Sequence, residues 1–149
     1  MVGQGDDLQA ALSAQSKPIV LSASSVATFL RCEQQWYYAY VEEIKRPPSI
    51  RQAVGLGAHS AIEHNMVQKI LSHEDVPGDV VEDVFTTEYD RLVANVEDPE
   101  EDPAKAKDNG VLVIREHHTK VAPGVQPVLV EQPVLVSINN IDYSGYIDL

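Results

Sequence analysis

Residues 126–149 read QPVLVEQPVLVSINNIDYSGYIDL, and their pattern differs from everything before them. Val and Ile recur through VLVEQPVLVSI and again through NIDYSGYIDL, and the pair Asn139-Asn140 separates the two runs. β-branched side chains suit a pleated backbone, and asparagine tolerates the positive φ of a tight turn. The stretch predicts two antiparallel strands joined as a hairpin. It ends on Asp148 and Leu149 with no turn or cap after them. An apolar strand that stops at its most buried point leaves unpaired backbone and an open edge, so the expectation is a domain truncated at its C-terminus.

Upstream of the hairpin the periodicity is helical. LSASSVATFLRCEQQWYYAYV, from Leu21, opens with serines able to cap a helix and places Val26, Phe29, Leu30, Tyr37, Tyr40 and Val41 on one face. It predicts one amphipathic helix ending before Lys45-Arg46-Pro47-Pro48, where proline removes a donor and restricts the residue before it. A second helix is expected over Arg51–Ser72, with Val54, Ala58, Ala61, Ile62 and Ile70 at helical spacings. Gly55 and Gly57 weaken its first turns and are best explained by something packed close to that backbone. A third helix, Gly78–Asn95, buries Val81, Val84, Phe85, Leu92 and Val93. A fourth starts near Ala104 and runs through VLVIREHHTKV, weakened in its first half by Gly110. The acidic stretch VEDPEEDPAKAKD between them reads as a solvated connector. Residues 1–20 lack a sustained period and read as a flexible lead-in, leaving 21–149 as the domain.

Composition narrows the function classes. Hydrophobic residues make up 44% of the 149, which is ordinary for a folded domain of common size. No apolar run nears the roughly 20 residues that cross a bilayer, and the N-terminus has no secretion signal, so a cytoplasmic protein without a membrane partner is expected. The single cysteine, Cys32, cannot alone build a disulfide, zinc or iron–sulfur site, so a bound metal would use oxygen and imidazole. A formal net charge of −12 argues against a general nucleic-acid coat. Lys45, Arg46 and Arg51 nevertheless cluster away from the acidic stretch.

Three short patterns carry chemistry: GLGAHSAIEH in the second helix, VEQP before the hairpin and SGYIDL at its end. Together with Phe29-Leu30-Arg31-Cys32 and Trp36-Tyr37-Tyr38, their order from Leu21 to Leu149 resembles RecB-like exonucleases of the PD-(D/E)XK superfamily. That family includes phage-borne and CRISPR-associated exonucleases and the nuclease domains of recombination helicases. The resemblance implies an α/β fold with a restriction-endonuclease-like core, a helical N-terminal half followed by the first antiparallel strands of a mixed central sheet. It implies Mg²⁺- or Mn²⁺-dependent hydrolysis of DNA in recombination, repair or phage DNA processing, with recombination or helicase proteins as partners. By the same likeness His59 matches a metal-holding histidine, Asp148 matches the first catalytic and metal-binding aspartate, and Glu131 matches an acid beside the site. Lys45, Arg46 and Arg51 would touch phosphate. Cys32 stands where iron–sulfur relatives have their first cluster cysteine, and a cluster would require three more cysteines beyond Leu149.

Residue chemistry agrees with these assignments without fixing them. Mg²⁺ and Mn²⁺ favour carboxylate oxygens, Mn²⁺ accepts imidazole, and a strand places a ligand rigidly. By residue type alone, His59 reads as a half-buried helical histidine and Asp148 as a polar strand end; the order of the motifs is what points to ligands. Glu131 reads equally well as solvated, and His64, His73, His117 and His118 read as surface residues. Tyr37 and Tyr40 read as core by their spacing, although with Trp36 and Tyr38 they could stack on bases. The competing function is a non-catalytic nucleic-acid or protein-binding module that keeps the nuclease fold; a different metal-dependent phosphoesterase is a third.

The family's acid-x-lysine strand is not in the sequence, since no lysine follows Lys120. The 149-residue chain by itself should therefore leave labelled single- and double-stranded DNA intact in Mg²⁺ or Mn²⁺. Cleavage that persists through purification and disappears in Asp148→Ala would show instead a self-sufficient site.

Overall fold

The computed structural model describes residues 20–44, 46–94, 96 and 101–147. The lead-in up to residue 19, Lys45, part of the acidic connector, Asp148 and Leu149 lie outside the described residues. The chain divides into two compact units. One joins the residues up to Glu43 with Pro133–Tyr146, and the other holds Ile44–Gln132 together with Ile147–Leu149.

In the first unit a short strand, β1 (Leu21–Ser22), leads directly into helix α1 (Ala23–Arg31). Ser22 caps that helix reciprocally with Ser25: Ser25 N–H donates to Ser22 Oγ at 3.1 Å, and Ser22 N–H donates to Ser25 Oγ at 2.9 Å. The single long helix expected here is broken. Cys32 adopts an extended backbone (φ −163°, ψ 107°), and beyond it come a short helix, α2 (Glu33–Trp36), and a π-helical turn, Tyr37–Val41. The break and the wider turn rotate later residues off the register of α1, so the six apolar positions no longer share one face. Leu30 is 80% exposed, and Tyr37 and Tyr40 are exposed rather than buried. The aromatics instead pack on one another, Phe29 edge-on to Trp36 and Trp36 stacked on Tyr40.

The hairpin forms as expected from Asn139-Asn140, whose φ values of 51° and 61° are those of a type I′ turn. Its strands are β2 (Gln132–Ile138) and β3 (Ile141–Ile147). β2 is shorter than the sequence run, because Val128–Glu131 are not strand. The sheet order is β1-β3-β2, with β1 parallel to β3 through Leu21 opposite Tyr143 and Ser22 opposite Ser144. Two strands joined by a two-residue turn must run antiparallel, so the sheet is mixed. Along the end of β3 Tyr146 and Ile147 are exposed, and the burial expected at Asp148 and Leu149 falls outside the described residues. β1 reaches only Leu21–Ser22, too short to cover the hairpin's length.

The second unit is built on α3 (Ile50–Ser72), α4 (Gly78–Val93) and α5 (Pro103–Lys120), followed by a 3₁₀ turn, Ala122–Gly124. Each long helix starts where local chemistry favours it. Ser49 and Gln52 form a capping box at α3, and Asp102 caps α5 with Pro103 in its first turn. The last part of the acidic connector is therefore a helix start. The core gathers Ile50, Ala53, Ala61, Val81, Phe85, Tyr89 and Ile114, with Val84, Leu92 and Val93 packed at its margin. Tyr89, absent from the sequence-based core, is 1% exposed and donates its hydroxyl to the Pro103 carbonyl at 2.8 Å.

Phe85 is fully buried between two glycines. A Cβ on Gly57 would lie 3.2 Å from the Phe85 ring, and one on Gly110 would lie 2.1 Å from its Cζ. Gly57 and Gly110 are thus the price in helix propensity of bringing α3 and α5 onto one ring. Gly55 has open space around it. Gly110→Ala should destabilise the protein by about 1–3 kcal/mol through overpacking, and Phe85→Leu should recover part of that loss in the double variant. Gly55→Ala should stabilise by about 0.4–1 kcal/mol. Chemical denaturation of the four variants reads all of this, and a neutral Gly110→Ala would show that the ring can move aside.

Candidate metal and nucleic-acid site

His59 lies on α3 one turn beyond Gly55, on a helix held by the Phe85 core. Glu131 lies far away in sequence, in the irregular segment after α5. The fold brings them together, with His59 Nε2 3.1 Å from Glu131 Oε1. The imidazole is 54% exposed and the carboxylate 22%, so the pair sits at a surface rather than in the core. Glu131 has a φ of 49°. A glutamate gains nothing intrinsic from this left-handed region, which costs an L-residue roughly 1–2 kcal/mol. The backbone therefore accepts strain at the residue that meets His59, as functional positions often do.

The segment that delivers Glu131 is tied back to α3. Met66, Ala122 and Val130 form a second buried cluster, with Ile62, Ile70 and Val125 against it. Beside this cluster stands a polar network not expected from the sequence. Lys69 is 4% exposed and donates from Nζ to Asp75 Oδ2 at 2.8 Å and to the Ala122 carbonyl at 2.7 Å. Asn65, 2% exposed, donates to Asp75 Oδ1 at 2.8 Å and accepts from Val76 N–H at 2.9 Å. Burial pushes the Asp75 carboxyl up, but hydrogen bonds from Lys69 and Asn65 and the charges of Lys69 and His118 outweigh it, leaving the group below the usual carboxylate range. A sequence signal for this network existed in the spacing, since Asn65 and Lys69 continue the stripe of Ala58, Ala61 and Ile62 along α3, whereas Asp75 lies beyond the helix and its pairing is tertiary.

His117 and His118 are half-buried rather than superficial. His118 Nε2 lies 2.8 Å from the Val76 carbonyl. Burial, with the neighbouring His118, holds the His117 imidazole below its ordinary value, opposed only in part by Asp75. His118 thereby joins α5 to the α3–α4 connection. His64 is half-buried, and His73 is exposed at the left-handed C-cap of α3.

Of the expected phosphate contacts, Lys45 lies outside the described residues, and Arg46 and Arg51 line different grooves. Arg46 lines an open groove of about 550 Å³ with Pro48, Gln52, Gly55, Leu56 and Leu92. Arg51 projects from α3 and pairs with Glu101, so its charge is already engaged by an acid. Cys32 is exposed with a free thiol.

For a divalent ion, the described donors fit in kind but not in number. His59 and Glu131 offer an imidazole nitrogen and a carboxylate oxygen side by side, both acceptable to Mn²⁺. Among the described residues no group of three or more His, Cys, Asp or Glu side chains is arranged to hold an ion. No helix among them is long and apolar enough to cross a membrane.

A family model described as the PD-(D/E)XK nuclease superfamily matches residues 20–149. No curated protein and no solved structure matches the chain.

The strained φ gives a direct check on the site's construction. Thermal unfolding should find Glu131→Gly no less stable than the parent, because glycine accepts positive φ freely. Glu131→Val should melt clearly lower, because a β-branched residue does not. Equal melting of the two would mean that Glu131 is not held in this conformation.

Proposed function

The chain belongs to the PD-(D/E)XK nuclease superfamily, and from that membership we propose that it supplies the helical front and first strands of a Mg²⁺- or Mn²⁺-dependent DNA exonuclease of the RecB-like kind, acting in recombination, repair or phage DNA processing. Membership implies a metal-dependent nuclease acting on DNA. The finer reading rests on the order of the motifs around His59, Glu131 and Asp148. One observation carries the site: His59 and Glu131, chosen from motifs more than seventy residues apart, meet at 3.1 Å.

In this proposal His59 and Asp148 hold the ion, and Glu131 orients the imidazole. With the proton on Nε2, His59 would donate to Glu131, which fixes the orientation of the ring and leaves the Nδ1 lone pair available to an ion. Asp148 supplies the charged oxygen that such ions require. The ion, when bound, polarises the phosphate, lowers the pKa of water and stabilises charge on the leaving oxygen. The acid-x-lysine element that would help position the water is not found in these 149 residues. Arg46, beside an open groove, is the better placed phosphate contact, since Arg51 would first have to leave Glu101.

The runner-up is a binding module that keeps the fold without the chemistry. It is favoured by the described donor set, in which His59 and Glu131 meet without a third His, Cys, Asp or Glu arranged beside them. The two readings separate in a protein that carries the acid-x-lysine element. Asp148→Ala should abolish cleavage in either metal, a loss of at least about a thousandfold, while DNA binding stays near the parent value. His59→Ala should lower activity most in Mn²⁺, with little change in the melting temperature of the metal-free protein. If His59→Ala instead melts several degrees lower and cleaves normally once folded, His59 is a packing histidine. If neither parent nor variant cleaves and both bind DNA, the binding module is correct.

A further inference from the structure

We propose that Lys69 is the positioning residue of the His59–Glu131 pair, clamping the returning segment to α3 so that Glu131 arrives at His59. The inference rests on the metal-site reading above for its purpose, though not for its geometry. Lys69 is buried on α3, and the Ala122 carbonyl it binds opens the 3₁₀ turn from which the segment sets out. Gln126 Nε2 then donates to the Lys69 carbonyl at 3.2 Å. Farther along, Val130, 7% exposed, packs in the cluster of Met66 and Ala122. The next residue is Glu131. Lys69 and His59 are ten positions apart on one helix, about 15 Å at 1.5 Å per residue, and the segment from Ala122 to Glu131 runs back along that length.

A buried lysine is an expensive way to fill space. Desolvating its charge costs several kcal/mol, which an apolar side chain of similar volume would avoid. Here the charge makes two directional bonds, to Asp75 and Ala122, and Asp75 is in turn held by Asn65. Such a network specifies one position for the Ala122 carbonyl, whereas an apolar contact would tolerate sliding along α3. Displacing the segment by even one residue would move Glu131 off His59. The strain at Glu131 makes the same point, since an unclamped segment would relax out of a φ of 49°.

The test uses the full chain and reads the His59 imidazole by nitrogen-15 and proton NMR, with Mn²⁺ as the metal probe. Glu131→Ala defines the signal of an imidazole without its carboxylate. Lys69→Met should move the His59 resonances most of the way to that signal and weaken Mn²⁺ binding roughly 10- to 100-fold, as loss of a ligand-orienting partner does. In the Glu131→Ala background Lys69→Met should add no further change. Ile114→Val, in the other core cluster, should lower stability yet leave His59 where it is. Unchanged His59 resonances in Lys69→Met would overturn the proposal, as would an equal shift in Ile114→Val. Should Lys69→Met fail to fold, Gln126→Ala replaces it, with a smaller shift in the same direction expected and no shift overturning the clamp. If Mn²⁺ does not broaden His59 in the parent, the metal reading fails, while the clamp is still decided by the resonances alone.

Discussion

The helical unit depends on one ring, Phe85, seated where α3 and α5 both present glycine. Gly57 and Gly110 leave room that a methyl group would fill, and the ring occupies it at full burial. This exchanges helix propensity for close packing: each glycine costs about 1 kcal/mol relative to alanine, and burial of a phenylalanine returns several times that on truncation scales. With α3 fixed against α4 and α5, His59 becomes a surface feature on a rigid support. Placement of a ligand to a fraction of an ångström requires such support.

A second constraint acts farther down α3. The Lys69, Asn65 and Asp75 network and the Met66, Ala122 and Val130 cluster lie side by side, one directional and one apolar. Apolar burial stabilises contact but is indifferent to small slides, whereas hydrogen bonds to a buried ammonium fix where a carbonyl sits. Between them they return an irregular segment to α3. Glu131 ends that segment in a conformation that only surrounding structure can maintain.

The hairpin unit follows a different logic. Its turn is decided locally by two asparagines at positive φ, and its first helix by a serine capping box. Its apolar side chains are largely exposed, among them Leu135, Tyr146 and Ile147. Periodicity predicted burial for Leu30, Tyr37 and Tyr40 because it assumes an unbroken helix; Cys32 and the π-helical turn remove that assumption.

Sequence alone determined whatever depends on neighbours in the chain. The start of α3 near Arg51, its end near Ser72, the extent of α4 and α5, the Asn139-Asn140 turn and the family to which the motifs point were all legible, since each rests on local spacing or turn chemistry. It also suggested that a glycine in α3 faces something close, though it could not tell Gly57 from Gly55. Tertiary structure alone decided that the close partner is Phe85, that Tyr89 and Lys69 bond the Pro103 and Ala122 carbonyls, that Arg51 is engaged by Glu101, and that Glu131 meets His59. Those facts join residues distant in the chain, and such contacts are settled by how helices pack and where an irregular segment is tied, neither of which leaves a period in the sequence.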